Sequence, residues 1–278
     1  MKASAAGYVR ATELSHALRL LSDMAGDAQV IAGGQSLVAS MNLRLSGEIN
    51  LIDINGIESL KGILETEAGL RIGALTRHND LARDPLVAAQ APALAQAAPL
   101  IAHAAIRTRG TIGGSLAYAD PAAELPACVL ALKATIIVEG KDGERRIAAE
   151  DFFEGLFSTA LEEGEIITAV EIPRVADDAR QIVLELARRS GDYALAGIVF
   201  VSGPDPRIVY FGMGDTPVLA QGAMAALRDD GVAAAVAALD GDLDPPGDIH
   251  GSAAYRKQLA RVLLRRAVAQ AERETENA

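Results

Sequence analysis

The segment Val30-Ile31-Ala32-Gly33-Gly34-Gln35-Ser36 runs from a short apolar strand directly into two adjacent glycines. A second segment, Thr111-Ile112-Gly113-Gly114-Ser115, also places an apolar residue before two glycines and a serine soon after them. Adjacent glycines lack the Cβ atoms that would shield consecutive backbone N–H groups, so the pair can form a hollow lined with donors. Two such hollows suit a ligand with two linked phosphates, whereas a tight turn without a ligand is the alternative for each pair.

The better-known phosphate and nucleophile motifs do not occur. Gly212-Met213-Gly214 continues with Asp-Thr-Pro, which breaks the G-x-G-x-x-G pattern of dinucleotide-binding folds. No G-x-x-x-x-G-K-[ST] stretch is present, and Gly34-Gln35-Ser36 runs on to Leu37, which breaks the hydrolase elbow G-x-S-x-G. The sequence therefore disfavours a Rossmann dehydrogenase, a P-loop ATPase and an α/β-hydrolase.

Composition excludes further classes of protein and of site. The 278 residues are 50% hydrophobic and carry a net charge of 26 − 37 = −11, which is unfavourable for binding nucleic acid. The single cysteine, Cys128, can form neither an internal disulfide nor an iron–sulfur or cysteine-rich zinc site. The four histidines are too widely spaced to predict a metal site on this chain. With no signal peptide or membrane span evident, we expect a cytoplasmic protein.

Hydrophobic patterning predicts short strands and helices in alternation, then a different C-terminal third. Residues 76–105 are rich in Ala and Leu, and their prolines at 85, 92 and 99 are expected to mark helix starts or turns. A hairpin is predicted from Thr135 to Ile147. Three antiparallel strands are expected at 181–187, 194–202 and 207–211, with helices following at about 217–227, 231–239 and 252–272. A boundary is expected in the charged stretch 174–180.

Several segments, taken together, resemble a known family. Residues 32–37 and 109–123 are similar to the two FAD loops of the flavin-binding medium subunits of molybdenum hydroxylases, a family that includes the carbon monoxide dehydrogenase medium subunits and has a homologous domain in xanthine dehydrogenase. Gly191-Asp192-Tyr193-Ala194 resembles a signature of the family's third domain, and residues 250–267 resemble its C-terminal helix. The matches follow the family's order over about residues 8 to 271.

The resemblance implies an α+β fold of three parts. Two subdomains, 1–56 and 57–175, would hold FAD between them in the manner of the vanillyl-alcohol-oxidase/PCMH type of flavoprotein. The C-terminal domain, 176–278, would consist of a three-stranded antiparallel sheet and a helical bundle.

The resemblance also implies roles for individual residues, none of them catalytic and none a metal ligand. The two glycine segments would bind the FAD diphosphate, Asp120 would lie near the ribityl and phosphate region, and Tyr193 would lie against the isoalloxazine ring. Leu161 belongs to a segment expected near the ring. The implied cofactor-binding residues are Ala32, Gly33, Gly34, Gln35, Ser36, Leu37, Thr111, Ile112, Gly113, Gly114, Ser115, Ala119, Asp120, Leu161 and Tyr193.

Three positions depart from residues common in the family. Ser115 stands where many relatives have Asn, Tyr118 where they have His, and Glu185 where several have Lys. A serine can still donate a hydrogen bond to a phosphate. We expect Tyr118 to alter the surroundings of the flavin. With Glu185 in place of a lysine, the end of the site that would hold the isoalloxazine ring, called the ring end below, would lack a positive charge.

The resemblance implies an electron-transfer subunit. A large partner with a molybdenum cofactor would oxidise the substrate, and two [2Fe–2S] clusters on a small partner would pass the electrons to this FAD. The FAD would then pass them to an external acceptor. The resemblance implies a dimer of heterotrimers, and no nucleic acid is expected as a partner. A single cysteine agrees with clusters that lie on another chain. A free-standing FAD oxidoreductase and a flavin-free assembly subunit remain the alternatives.

Overall fold

The computed structural model describes residues 7–276 and begins with a small parallel sheet. β3 lies between β1 and β2, and the three strands end at the same edge. The segments that follow β2 and β3 therefore emerge side by side. The elements of this unit are β1 (Tyr8–Arg10), α1 (Leu14–Asp23), β2 (Ala28–Ile31), α2 (Leu37–Asn42) and β3 (Asn50–Asp53).

The second unit is built around a five-stranded antiparallel sheet in the order β4-β5-β10-β6-β7. The hairpin predicted from Thr135 to Ile147 is confirmed as β6 and β7. Its elements are β4 (Ile63–Thr66), β5 (Gly69–Gly73), α3 (His78–Leu81), α4 (Pro85–Gln90), α5 (Pro92–Ala97), α6 (Ala104–Arg107), α7 (Ile112–Tyr118), α8 (Glu124–Ala131), β6 (Thr135–Gly140), β7 (Gly143–Ala148), α9 (Ala149–Phe152), β8 (Phe153–Gly155), β9 (Ser158–Thr159) and β10 (Ile166–Pro173).

Prolines begin two of the short helices, as the sequence predicts. Pro85 and Pro92 occupy the first positions of α4 and α5, where a missing N–H costs nothing and the fixed φ angle suits the helix. The Asp84 carboxylate caps α4 by accepting hydrogen bonds from the N–H groups of Leu86 and Val87.

The third unit is a four-stranded antiparallel sheet covered by helices, which corrects the prediction of three strands. The fourth strand is only two residues long and pairs Val218 and Leu219 with the middle of its neighbour, and the helix predicted from about 217 begins at Gln221. Pairing of Val218 and Leu219 with Tyr210 and Val209 keeps this segment extended, so the helix starts only after it. The elements are β11 (Gln181–Leu186), β12 (Ala196–Val201), β13 (Arg207–Phe211), β14 (Val218–Leu219), α10 (Gln221–Asp230), α11 (Val232–Asp242) and α12 (Ala253–Glu276).

The second and third units share one hydrophobic core. Every residue of α8 from Leu125 to Ala131 is buried, because this helix packs against α5 and α7 on one side and β12 and β13 on the other. Burial of so much apolar surface fixes the third unit rigidly against the second. In the part of the chain that the structure describes, no sheet crosses the predicted boundaries at 56/57 and 175/176, and the division into three domains stays a prediction. Among residues 7–276 no helix has both the length and the apolar character needed to cross a membrane.

Candidate functional site

The first glycine segment forms one wall of a cavity of about 630 Å³. It leaves β2 at the edge where β3 also ends, and it leads into α2. Ala32, Gly33, Gly34 and Gln35 line the cavity, and Arg109 of the second unit lines it from the other side. The cavity therefore lies between the two units that the resemblance assigns to FAD.

The backbone of this segment presents a row of unpaired donors. None of the N–H groups from Ala32 to Ser36 has an acceptor among residues 7–276. Some carbonyl groups of the same segment are fixed, because the side chains of Gln35 and Asn55 donate to the oxygens of Gly33 and Ala32 at 2.9 and 2.7 Å. A rigid backbone with free N–H groups is what binding of an anion requires.

Gly33 lies directly against the second unit. A Cβ atom on Gly33 would lie 2.4 Å from the carbonyl oxygen of Arg109 and 2.9 Å from the Cα of Gly110. Only glycine allows this approach without moving backbone. The two glycine segments predicted from the sequence are therefore neighbours, joined through residues 109–110.

A polar network behind the cavity involves residues that the sequence analysis did not identify. The Arg77 guanidinium donates to Asn55 Oδ1 at 2.6 Å and also to the Arg109 carbonyl, so it bridges the two units. Burial, and then the neighbouring Arg109, lower the pKa of Arg77, which nevertheless remains a cation near neutral pH. A signal was present in the sequence, since Asn55 directly follows a strand that ends beside β2.

Asp53 completes this network at the mouth of the cavity. Tyr8 and Asn55 both donate hydrogen bonds to its carboxylate. Burial alone would raise the pKa of Asp53, but these hydrogen bonds outweigh it and the pKa is lowered. Asp53 is therefore an anion that accepts hydrogen bonds on the cavity wall.

The second glycine pair lies in the first turn of α7 and not in an open loop, which differs from the expectation of two equivalent hollows. Thr111 caps the helix, and its Oγ1 accepts from the N–H of Gly114 at 3.1 Å. The N–H groups of Ile112 and Gly113 donate to carbonyl oxygens just after β5 at 3.0 and 2.9 Å, and that of Ser115 donates to the Thr111 oxygen at 3.0 Å. Thr111, Ile112 and Gly113 are buried, whereas Gly114 is exposed and Ser115 is half-buried.

His78 contacts the two residues that precede α7. Its side chain is 6% exposed, and its Nε2 lies 3.0 Å from the carbonyl oxygen of Thr111. Burial lowers the pKa of His78 to about 4, so the ring is neutral at pH 7 and Nε2 carries the proton that it donates. The ring also lies against Gly110, where a Cβ atom would come within 2.7 Å of it. His78 thus fixes both residues that precede α7.

Ala119, Asp120 and Tyr193 lie at the far end of α7, between the second and third units. Ala119 ends the helix in the left-handed conformation at φ 50°, and Asp120 follows it. Asp120 accepts a hydrogen bond from the Ala122 N–H at 2.9 Å, and the nearby Tyr193 hydroxyl interacts with its carboxylate. Tyr193 is nevertheless 71% exposed, so one face of its ring is open. Leu161 is half-buried, and it packs against the shared core.

Aromatic side chains and buried carboxyl groups surround this pair. Tyr118 and Phe157 are exposed, with ring centroids 5.1 Å apart. Burial raises the pKa of Glu185 to about 7, and burial followed by the charges of Glu185 and Asp120 raises the pKa of Glu124 to about 8. Glu185 Oε2 has no hydrogen-bond partner among the described residues. Burial therefore disfavours the ionised form of the carboxyl groups at this end, most strongly for Glu124.

Comparison with known proteins decides the family. Residues 3–175 match the model of the FAD binding domain in molybdopterin dehydrogenase, and residues 182–271 match the CO dehydrogenase flavoprotein C-terminal domain. The chain belongs to the FAD-binding medium subunits of the molybdenum hydroxylases. It is thus a subunit of an oxidoreductase, and FAD is its cofactor.

Similar proteins cover nearly the whole chain. It is 41% identical to the 6-hydroxypseudooxynicotine dehydrogenase complex subunit alpha of Paenarthrobacter nicotinovorans, over 98% of this chain and 96% of that protein. It is 36% identical to the carbon monoxide dehydrogenase medium chain of Hydrogenophaga pseudoflava, over 94% of this chain and 95% of that one. A chain of the carbon monoxide dehydrogenase structure from the same organism superposes with a TM-score of 0.93 at 36% identity, over 98% of each chain. The resemblance stated from the sequence is confirmed.

The described residues fit FAD. The free N–H groups of residues 32–36 suit a diphosphate, and the absence of a Cβ atom at Gly33 lets this segment lie directly against residues 109–110. The exposed face of Tyr193 suits a flat ring. Among residues 7–276 no group of three or more His, Cys, Asp or Glu side chains could hold a metal ion.

Proposed function

We propose that this chain carries electrons from [2Fe–2S] clusters on a small partner subunit to an external acceptor, with substrate oxidation at a molybdenum cofactor on a large partner. The observation that carries the proposal is the row of free N–H groups from Ala32 to Ser36 beside a cavity between two units. FAD supplies the redox chemistry, because it can accept electrons singly and release them in pairs. Assembly as a dimer of heterotrimers and a cytoplasmic location stay predictions.

In this proposal the first glycine segment holds the diphosphate. The N–H groups of Ala32, Gly33, Gly34, Gln35 and Ser36 donate to its oxygens, with Leu37 starting the helix behind them. The exposed Arg109 supplies a positive charge on the opposite wall of the cavity. Backbone donors held in place before the ligand arrives bind it without a cost of reorganisation.

The second segment has a divided role. Thr111, Ile112 and Gly113 are buried, so they support the site from inside. Gly114 and Ser115 are reachable from outside, and the Ser115 hydroxyl can donate to the cofactor. Beyond the end of α7, Ala119 directs the chain to Asp120.

At the ring end, Tyr193 offers its open face to the isoalloxazine while its hydroxyl interacts with Asp120. Leu161 contributes apolar surface to the same end. Burial raises the pKa of Glu124 to about 8 and that of Glu185 to about 7, and neither group supplies a positive charge there. We expect this setting to disfavour extra negative charge on the cofactor, which lowers its reduction potential.

Purification of the chain from its native host tests the proposal. The protein is isolated through a tag on this chain, its FAD is quantified, and the associated chains are identified by mass. We expect close to one FAD per chain together with a molybdenum-containing chain and an iron–sulfur chain. FAD without either partner would favour a free-standing oxidoreductase. No FAD, even after it is added back, would contradict the assignment of residues 32–36.

A further inference from the structure

Arg256 is a buried cation in the first turn of α12, and only 6% of its surface is exposed. Its Nη1 donates to the carbonyl oxygen of Leu195 at 2.7 Å and to that of Gly212 at 3.4 Å. Its Nη2 donates to Asp248 Oδ2 at 2.7 Å. A buried guanidinium needs such partners, because an unpaired charge away from water is strongly destabilising.

Both carbonyl groups belong to segments that reach the ring end. Leu195 lies two residues after Tyr193 in the chain. Gly212 donates its own N–H to the carbonyl oxygen of Pro121 at 2.8 Å, and Pro121 directly follows Asp120. Since the Tyr193 hydroxyl also interacts with the Asp120 carboxylate, Arg256 is connected to this pair through both segments.

We propose that Arg256 is a positioning residue that holds the Tyr193 segment and the Asp120 segment together, so that the Tyr193 ring is presented to the flavin. This inference rests on the proposed function, because it places Tyr193 and Asp120 at the flavin. Arg256 acts through Leu195 and Gly212, and it does not touch the cofactor itself.

The geometry requires arginine at this position. A planar guanidinium can donate along two directions from Nη1 and to a carboxylate from Nη2, whereas the compact ammonium of lysine cannot span all three acceptors. The Asp248 carboxylate is held in place, because the N–H groups of His250 and Gly251 donate to its Oδ1 at 2.8 and 3.0 Å. These hydrogen bonds help to lower the pKa of Asp248, which keeps it an anion.

Arg207 provides a matched control at the other end of the same sheet. It is 7% exposed, donates to the Leu130 carbonyl at 2.8 Å and forms an ion pair with Glu150 at 2.6 Å. Arg207 begins β13, whereas Gly212 directly follows its last residue. The two arginines thus have similar burial and partners, but only Arg256 is linked to Tyr193.

The test compares R256M, R256K and R207M in the full chain. We expect both methionine variants to lower the melting temperature. Only R256M should change the visible circular dichroism of bound FAD and weaken FAD binding about 10-fold, which corresponds to the loss of roughly one contact with the cofactor. R256K keeps a charge beside Asp248, so it should recover stability without recovering FAD affinity. This second variant keeps the inference testable if R256M fails to fold.

Equal changes in FAD affinity and flavin spectrum for R256M and R207M would overturn the inference, as would full recovery of both by R256K. D120A separates this failure from failure of the proposed function. If D120A alters the flavin spectrum and R256M does not, the inference about Arg256 is wrong while the ring-end assignment stands. If neither variant alters it, the ring-end assignment is wrong and the inference fails with it.

Discussion

Replacement of Glu185 by glutamine should stabilise the flavin-free protein at alkaline pH. The carboxyl group is partly buried on β11, its Oε2 lacks a hydrogen-bond partner among residues 7–276, and the described structure places Glu124 rather than a cation in its vicinity. Burial raises the pKa from the ordinary 4.5 to about 7. Glutamine has the same shape and no charge, so it removes the cost of ionising this group.

The sign and the size follow from the two pKa values. Below pH 4.5 the group is protonated in both the folded and unfolded states and costs nothing. As the pH rises from 4.5 to about 7, the unfolded chain ionises first, so stability falls, and above about 7 the penalty is constant. The difference corresponds to about 3 kcal/mol for a fully dry group, and solvent access reduces it to about 1–2 kcal/mol.

Urea unfolding of the flavin-free protein, followed by circular dichroism at pH 8.5 and near pH 4, measures this difference. E185Q should be more stable than the wild type at pH 8.5, and the two should converge near pH 4. E67Q, which changes an exposed glutamate, serves as the control and should match the wild type. If the stability advantage of E185Q over the wild type were no larger at pH 8.5 than near pH 4, the carboxylate would have a stabilising partner and the reasoning would be refuted.

Three further predictions concern the cofactor site. G33A should weaken FAD binding at least 10-fold in a fluorescence titration, because overpacking against Arg109 costs about 1–3 kcal/mol, whereas G47A, where a Cβ atom meets nothing within 4 Å, should bind FAD normally. H78L and T168V each remove a buried hydrogen bond to a carbonyl oxygen, and each should lower the free energy of unfolding by about 1–3 kcal/mol. Only H78L should also weaken FAD binding, so equal FAD affinities of the two variants would argue against the support of α7 by His78. Y193F should keep the ring but lose the hydroxyl that interacts with Asp120, shifting the flavin absorption spectrum while the melting temperature changes little; an unchanged spectrum would place the flavin elsewhere.

Local patterns were sufficient to predict much of the fold. Alternating apolar residues predicted the strands of the third unit, and the prolines at 85 and 92 predicted two helix starts. The two-residue strand β14 was missed because a segment of that length has no period to detect. The position of Gly113 and Gly114 inside α7 was missed because glycine pairs favour turns, whereas here the Thr111 cap and the contacts with residues 74 and 76 fix a helix.

The candidate site was only partly predictable for a related reason. The free N–H groups at 32–36 follow from a local glycine pair, which a sequence displays directly. Arg77 contacts Asn55 and Arg109, which lie 22 and 32 positions away in the chain. A local sequence pattern cannot predict contacts between residues so far apart. Likewise Glu124 and Glu185 come together only because α8 packs against the third unit.

The central claim is that residues 32–36 bind the diphosphate of FAD. A crystal structure of the FAD-loaded chain tests it most directly, through the distances between the diphosphate oxygens and the backbone nitrogens of this segment. The account predicts hydrogen bonds from several of these N–H groups, with Arg109 on the opposite side of the diphosphate. A diphosphate bound elsewhere, with the N–H groups of residues 32–36 facing water, would contradict it.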